Sequence, residues 1–148
     1  MANVIEIPDL WGNDINVEVV SPATILKVQA EKLSLKTKGV LLARTYPSGD
    51  GCDGADVTHH LELHAPAINY TEEVLAISHV QNRAYPVVIR MPASIAWERQ
   101  EQASTKWCGN EEEFMQALRT ALRSYPVRSA IDSILAESNE RNLAPVAS

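Results

Sequence analysis

Val57-Thr58-His59-His60-Leu61-Glu62-Leu63-His64-Ala65 is the stretch on which the fold turns. Apolar and polar residues alternate from Leu61 to His64, and a period of two marks a strand with one buried face. Pleating then sets His60, Glu62 and His64 on one side and Leu61 and Leu63 on the other. In that phase, removing the Leu63 side chain is expected to be costly and removing that of His60 cheap.

Working outward, Pro47-Ser48-Gly49-Asp50-Gly51-Cys52-Asp53-Gly54-Ala55-Asp56 is turn chemistry throughout. Val40 to Tyr46 precedes it as a strand, so the two strands form a hairpin with a long tip. Downstream, Pro66 to Tyr70 reads as a loop and Glu73 to Val80 as a third strand. A helix is the rival there, because Glu72-Glu73 suits a first turn. Gln81-Asn82-Arg83 turns the chain, and Tyr85 to Met91 is a fourth strand. Short connections favour an antiparallel meander.

Upstream of the sheet, Ser21-Pro22 is a helix start, with Ser as N-cap and Pro at the first helical position. This helix is expected to reach about Thr37, with Gly39 ending it. Ala23, Leu26, Ala30 and Leu33 form one apolar stripe. Ile25, Val28 and Leu35 form a second, nearly opposite, where a surface helix normally has one. Ile15 to Val20 alternates enough to suggest a short edge strand, and residues 1–14 look irregular. After the sheet, Pro92 to Gly109 carries Trp97 and Trp107 without a clear period. Asn110 with Glu113 is a capping-box pattern opening a helix that bears Phe114, Leu118, Ala121 and Leu122. Pro126 starts a last helix through about Glu137, with Val127, Ile131, Ile134 and Leu135 as its apolar side. Residues 139–148 read as a frayed tail. The expectation is one α+β domain over residues 1–148: an N-terminal helix, a four-stranded antiparallel meander and two C-terminal helices.

Composition bounds what this object does. The 148 residues are 45% hydrophobic and 22% charged, an ordinary globular balance. Net charge is −6, which repels phosphate backbones and argues against nucleic acid. The basic residues are scattered along the chain, and none is expected to cluster on one face. The densest group, Lys32, Lys36 and Lys38, closes the first helix and complements its dipole there. Cys52 and Cys108 read as reduced thiols of a cytoplasmic protein. Met1 to Pro8 lacks a basic n-region, and no apolar run approaches the roughly 20 residues of a membrane span.

Ile7-Pro8-Asp9-Leu10-Trp11, Pro22 to Leu26 with Gln29-Ala30, Leu63 to Tyr70, Tyr85 to Ile89 and Glu111 to Phe114 stand out as a set. With them the chain resembles small, stand-alone, uncharacterised bacterial proteins. The resemblance implies a bacterial, cytoplasmic protein and supplies no activity.

His60, Glu62 and His64 are the candidate metal ligands, since imidazole with carboxylate suits zinc or another transition metal. His79 is a fourth ligand only if register brings it beside them. The simpler reading is a polar strand face meeting solvent. Asp50, Asp53 and Asp56 are spaced by three, which does not fit an EF-hand loop. Cys52 has no base at recognisable spacing. No G-x-S-x-G, Walker loop, G-x-G-x-x-G or H-E-x-x-H occurs. The reading therefore leans away from an enzyme and needs no cofactor. It favours an interaction or regulatory protein that pairs with itself or another protein, with Ile25, Val28 and Leu35 as the interface. A small metal-dependent hydrolase using the histidine stripe is the alternative. A small-ligand domain with a pocket between sheet and helices is the third.

Overall fold

The computed structural model describes residues 6–15, 17–49, 56–91 and 105–143. Helix α1 spans Pro22–Lys36, followed by strands β1 (Leu42–Ser48) and β2 (Asp56–Ala65). A short 3-10 turn, Pro66–Ile68, leads into β3 (Tyr70–Val80), β4 (Val87–Arg90) and β5 (Thr105–Cys108). Helices α2 (Glu111–Leu122) and α3 (Tyr125–Leu143) complete the described chain. The strands lie in the order β1-β2-β3-β4-β5, and every neighbouring pair is antiparallel. The α+β meander is as expected, with five described strands in place of four.

Local chemistry sets the helix ends. The Ser21 hydroxyl accepts from the Thr24 N–H at 3.2 Å. At the other end, Lys38 (φ 54) and Gly39 (φ 81) both enter the left-handed region. Their N–H groups reach Leu35 and Ser34 carbonyls, each at 3.0 Å, and satisfy two orphan acceptors of the last turn. Asn110 caps α2 by accepting from the Glu113 N–H at 2.9 Å. The Glu113 carboxylate reaches back past the cap to the Gly109 N–H.

One apolar cluster joins all three helices to a single face of the sheet. Leu26, Leu41, Leu75, Ile77, Val87 and Phe114 are fully buried within it. Leu61 and Leu63 are buried as their phase requires, at 3% and 1% exposed. The register shifts once. Leu61 pairs with Leu75 but Glu62 pairs with Glu73, which leaves Val74 as an extra residue in β3. This bulge turns Val74 into the core, 1% exposed, and turns Glu73 to the opposite face beside Glu62.

Several expectations are corrected. Described residues between Ile15 and Val20 form no strand, and Ile15, Val17 and Val19 are all exposed. The segment without a clear period contains β5, which is paired to β4 through Trp107 and Val88. Helix α3 continues past Glu137 to Leu143, and Ser138 is fully buried, so 139–143 is helix rather than tail. Asp50, Cys52, Asp53 and Trp97 lie outside the described residues, and only the backbone of Asp56 is described.

Candidate functional site

Among the described residues, two regions bring chemistry-bearing side chains together, on opposite faces of the sheet. The first is the histidine stripe. His60, Glu62 and His64 share the face away from the helices, but they do not converge on one point. Glu62 accepts from Arg44, through Nε at 3.0 Å and Nη2 at 2.9 Å. His64 Nδ1 meets the Thr71 hydroxyl at 2.9 Å. His60 is held by Glu73 through Nδ1 and by Ser48 Oγ at 2.7 Å through Nε2. The Tyr46 ring stacks on it, centroids 4.8 Å apart and 15° from parallel. Burial, and then the Glu73 and Glu62 carboxylates, push the Tyr46 hydroxyl above its usual pKa.

No group of three or more His, Cys, Asp or Glu among the described residues is placed to hold a metal ion. His79 does not join the stripe. Its register partners Val57 and Val87 set it on the helix side, where its Nε2 lies 3.2 Å from His59 Nε2. Burial, then His79 and His60, hold the His59 pKa below its ordinary value.

The candidate interface residues are also separated. Ile25 sits in the core at 8% exposed, while Val28 and Leu35 are 38% and 78% exposed on the outer side of α1.

The second region was not legible in the sequence. A cleft of about 350 Å³ opens between α1, α2 and α3 above β1 and β2. Ile25, Ala30, Leu61, Leu118 and Leu122 give it an aliphatic floor. Lys32 and Lys36 of α1, Arg119 of α2, Arg123 at the C-cap of α2, and Arg128 of α3 stand around it. Among the described residues, no acidic side chain lines it and none of the five cations forms an ion pair. This corrects the expectation that no basic cluster faces one way. Lys32 and Lys36 are one turn apart on one face of α1, and Arg123 caps α2 four residues after Arg119, close to the same side. Tertiary packing then aims both pairs at one opening, which one-dimensional spacing does not reveal.

Elsewhere Tyr85, pushed up to about 12 chiefly by burial, donates to the Val20 carbonyl at 3.0 Å. The buried Cys108 thiol has its pKa raised, mainly by desolvation, and so is unsuited to act as a nucleophile. No helix among the described residues is long and apolar enough to cross a membrane. Comparison with protein-family models, with characterised proteins and with solved structures found no match.

Proposed function

We propose that this chain is a binding protein whose helix-lined cleft holds an amphipathic anion. The ligand class is an acidic head group on an aliphatic body, such as a fatty acid. The observation that carries this reading is the convergence of five cations on an aliphatic floor, in a chain of net charge −6. The volume, about 350 Å³, lies at the small end of the roughly 300–1,000 Å³ typical of ligand sites. Each buried methylene contributes about 0.8 kcal/mol before ordering costs. An exposed ion pair contributes about 0.2–1 kcal/mol. The tail therefore supplies most of the affinity, and the cations select the charge of the head. Nucleic acid fits less well, because no aromatic side chain among the described residues lines the cleft for a base to stack on.

Isothermal titration with decanoate, and separately with inorganic phosphate, tests the reading. Saturable decanoate binding is expected, weakened by added salt and reduced at least tenfold in Arg119→Glu/Arg123→Glu. Phosphate alone is expected to bind far more weakly. Decanoate binding that ignores the double charge reversal would remove the cleft as the site.

Self-association is the second reading, and a separate observation favours it. Leu42, Tyr46, Val80 and Trp107 belong to the sheet face away from the helices and are 41–62% exposed. Light scattering at tens of micromolar distinguishes a dimer from a monomer, and a monomer mass would leave this reading without support.

A further inference from the structure

We propose that Ser48, His60 and Glu73 form a serine acyl-transfer relay on the face of the sheet opposite the cleft. It is independent of the cleft, whose sheet contribution comes from Ala43 and Leu61 on the helix side.

The protonation pattern follows from the partners. The Glu73 carboxylate only accepts, so the His60 Nδ1 facing it carries the ring proton. Neutral His60 then has a bare lone pair on Nε2, and Ser48 Oγ–H, 2.7 Å away, donates to it. A hydroxyl on Nε2 and a carboxylate on Nδ1 is the order that lets an imidazole take a serine proton while the acid steadies the resulting cation.

Backbone geometry holds the three groups. Tyr46 pairs with His60 across β1 and β2, which sets Ser48 two residues further along the same face. His60 pairs with Ala76, a small residue that leaves the ring room to lean toward Glu73. Glu73 is on this face only because of the bulge at Val74. In a regular ladder, alternation from Leu75 would turn Glu73 toward the helices. The Tyr46 ring fixes the imidazole plane from one side. The His60 side chain is 17% exposed and that of Glu73 34%. Beside the nucleophile, no described heavy atom outside Gly49 and its chain neighbours lies within 4 Å of where a side chain on Gly49 would sit.

The class of substrate is an unhindered carboxylic ester. Ser48 Oγ attacks the carbonyl carbon as its proton passes to His60 Nε2. The tetrahedral adduct collapses, the ester C–O bond breaks, and the leaving alkoxide takes the proton from His60. Water then attacks the acyl-serine, giving a proton to His60. Collapse releases the carboxylic acid and returns that proton to Ser48. Ser48 and His60 are the catalytic residues, and Glu73 is a positioning residue.

The test is labelling with an organofluorophosphonate, in which Ser48 Oγ displaces fluoride at phosphorus. Intact mass and peptide mapping should show one adduct, on Ser48, absent in Ser48→Ala. His60→Gln should slow labelling by at least about 100-fold, the low end of general-base contributions. Glu73→Gln should slow it less and move its pH profile to lower pH, which loss of packing alone would not do. Thermal unfolding confirms that each variant is folded, and if His60→Gln is not, Glu73→Gln decides. No adduct on Ser48, or a Ser48 rate unchanged in the deciding folded variant, overturns the proposal.

Discussion

At the residue scale, strand phase controls what each substitution costs. Leu63 is 1% exposed among core side chains, so Leu63→Ala is expected to destabilise by about 2–5 kcal/mol. His64 is half-buried, and among the described residues its side chain bonds only to Thr71. Its exchange for Ala should cost no more than about 1 kcal/mol in a urea melt, a single exposed hydrogen bond's worth. The phase of these residues was legible because alternation is a local property. The cost of His60 was not. Its sequence neighbours suggest an exposed ring, whereas Ser48, Glu73 and Tyr46 surround it from two other strands. His60→Ala leaves those partners unmet and is no longer a cheap substitution. His59 adds a pH dependence. Burial lowers its folded pKa, so the unfolded chain takes up the proton first. Stability should therefore fall as pH drops through about 6.5, the ordinary histidine value. The loss is complete only below the lowered folded value. Urea midpoints between pH 8 and pH 5 measure it, and His59→Gln should flatten this part of the profile.

At the element scale, β1 is an edge strand, and the chain guards it. The Ser34 hydroxyl on α1 accepts from the outward Ala43 N–H at 2.9 Å while donating to the Ala30 carbonyl at 3.2 Å. By alternation Pro47 points its nitrogen the same way, and it has no N–H to offer. Helix and proline together leave little of this edge for another strand to pair with. Ser34→Ala frees the Ala43 amide, and the variant should aggregate faster than the parent on prolonged incubation at 37 °C. Unchanged light scattering over that incubation would show that Ser34 does not protect the edge. The cap residues Ser21 and Asn110 were readable because capping needs only neighbours. β5 was not, because Thr105–Cys108 offers four residues, of which only Cys108 is buried. Ile15 to Val20 errs in the other direction, since alternation without a pairing strand makes no sheet. The bulge at Val74 left no trace in the sequence. Val74, Leu75, Ala76 and Ile77 are all buried, so apolar patterning cannot say which residue is extra.

At the scale of the whole molecule, total charge and local charge point in opposite directions. A net −6 argues against anionic partners, yet five of the thirteen Lys and Arg residues gather at one cleft. Composition sums over the surface, while binding depends on the potential at one place. The packing of three helices on one sheet face makes that place. The most direct measurement is a titration of isotope-labelled protein with decanoate, followed by backbone and methyl NMR shifts. The account predicts saturable changes at Ile25, Ala30, Leu61, Leu118, Leu122 and Ile131, with Arg44, His60 and His64 on the far face of the sheet unmoved. Absence of any saturable shift, or shifts confined to the far face, would contradict it.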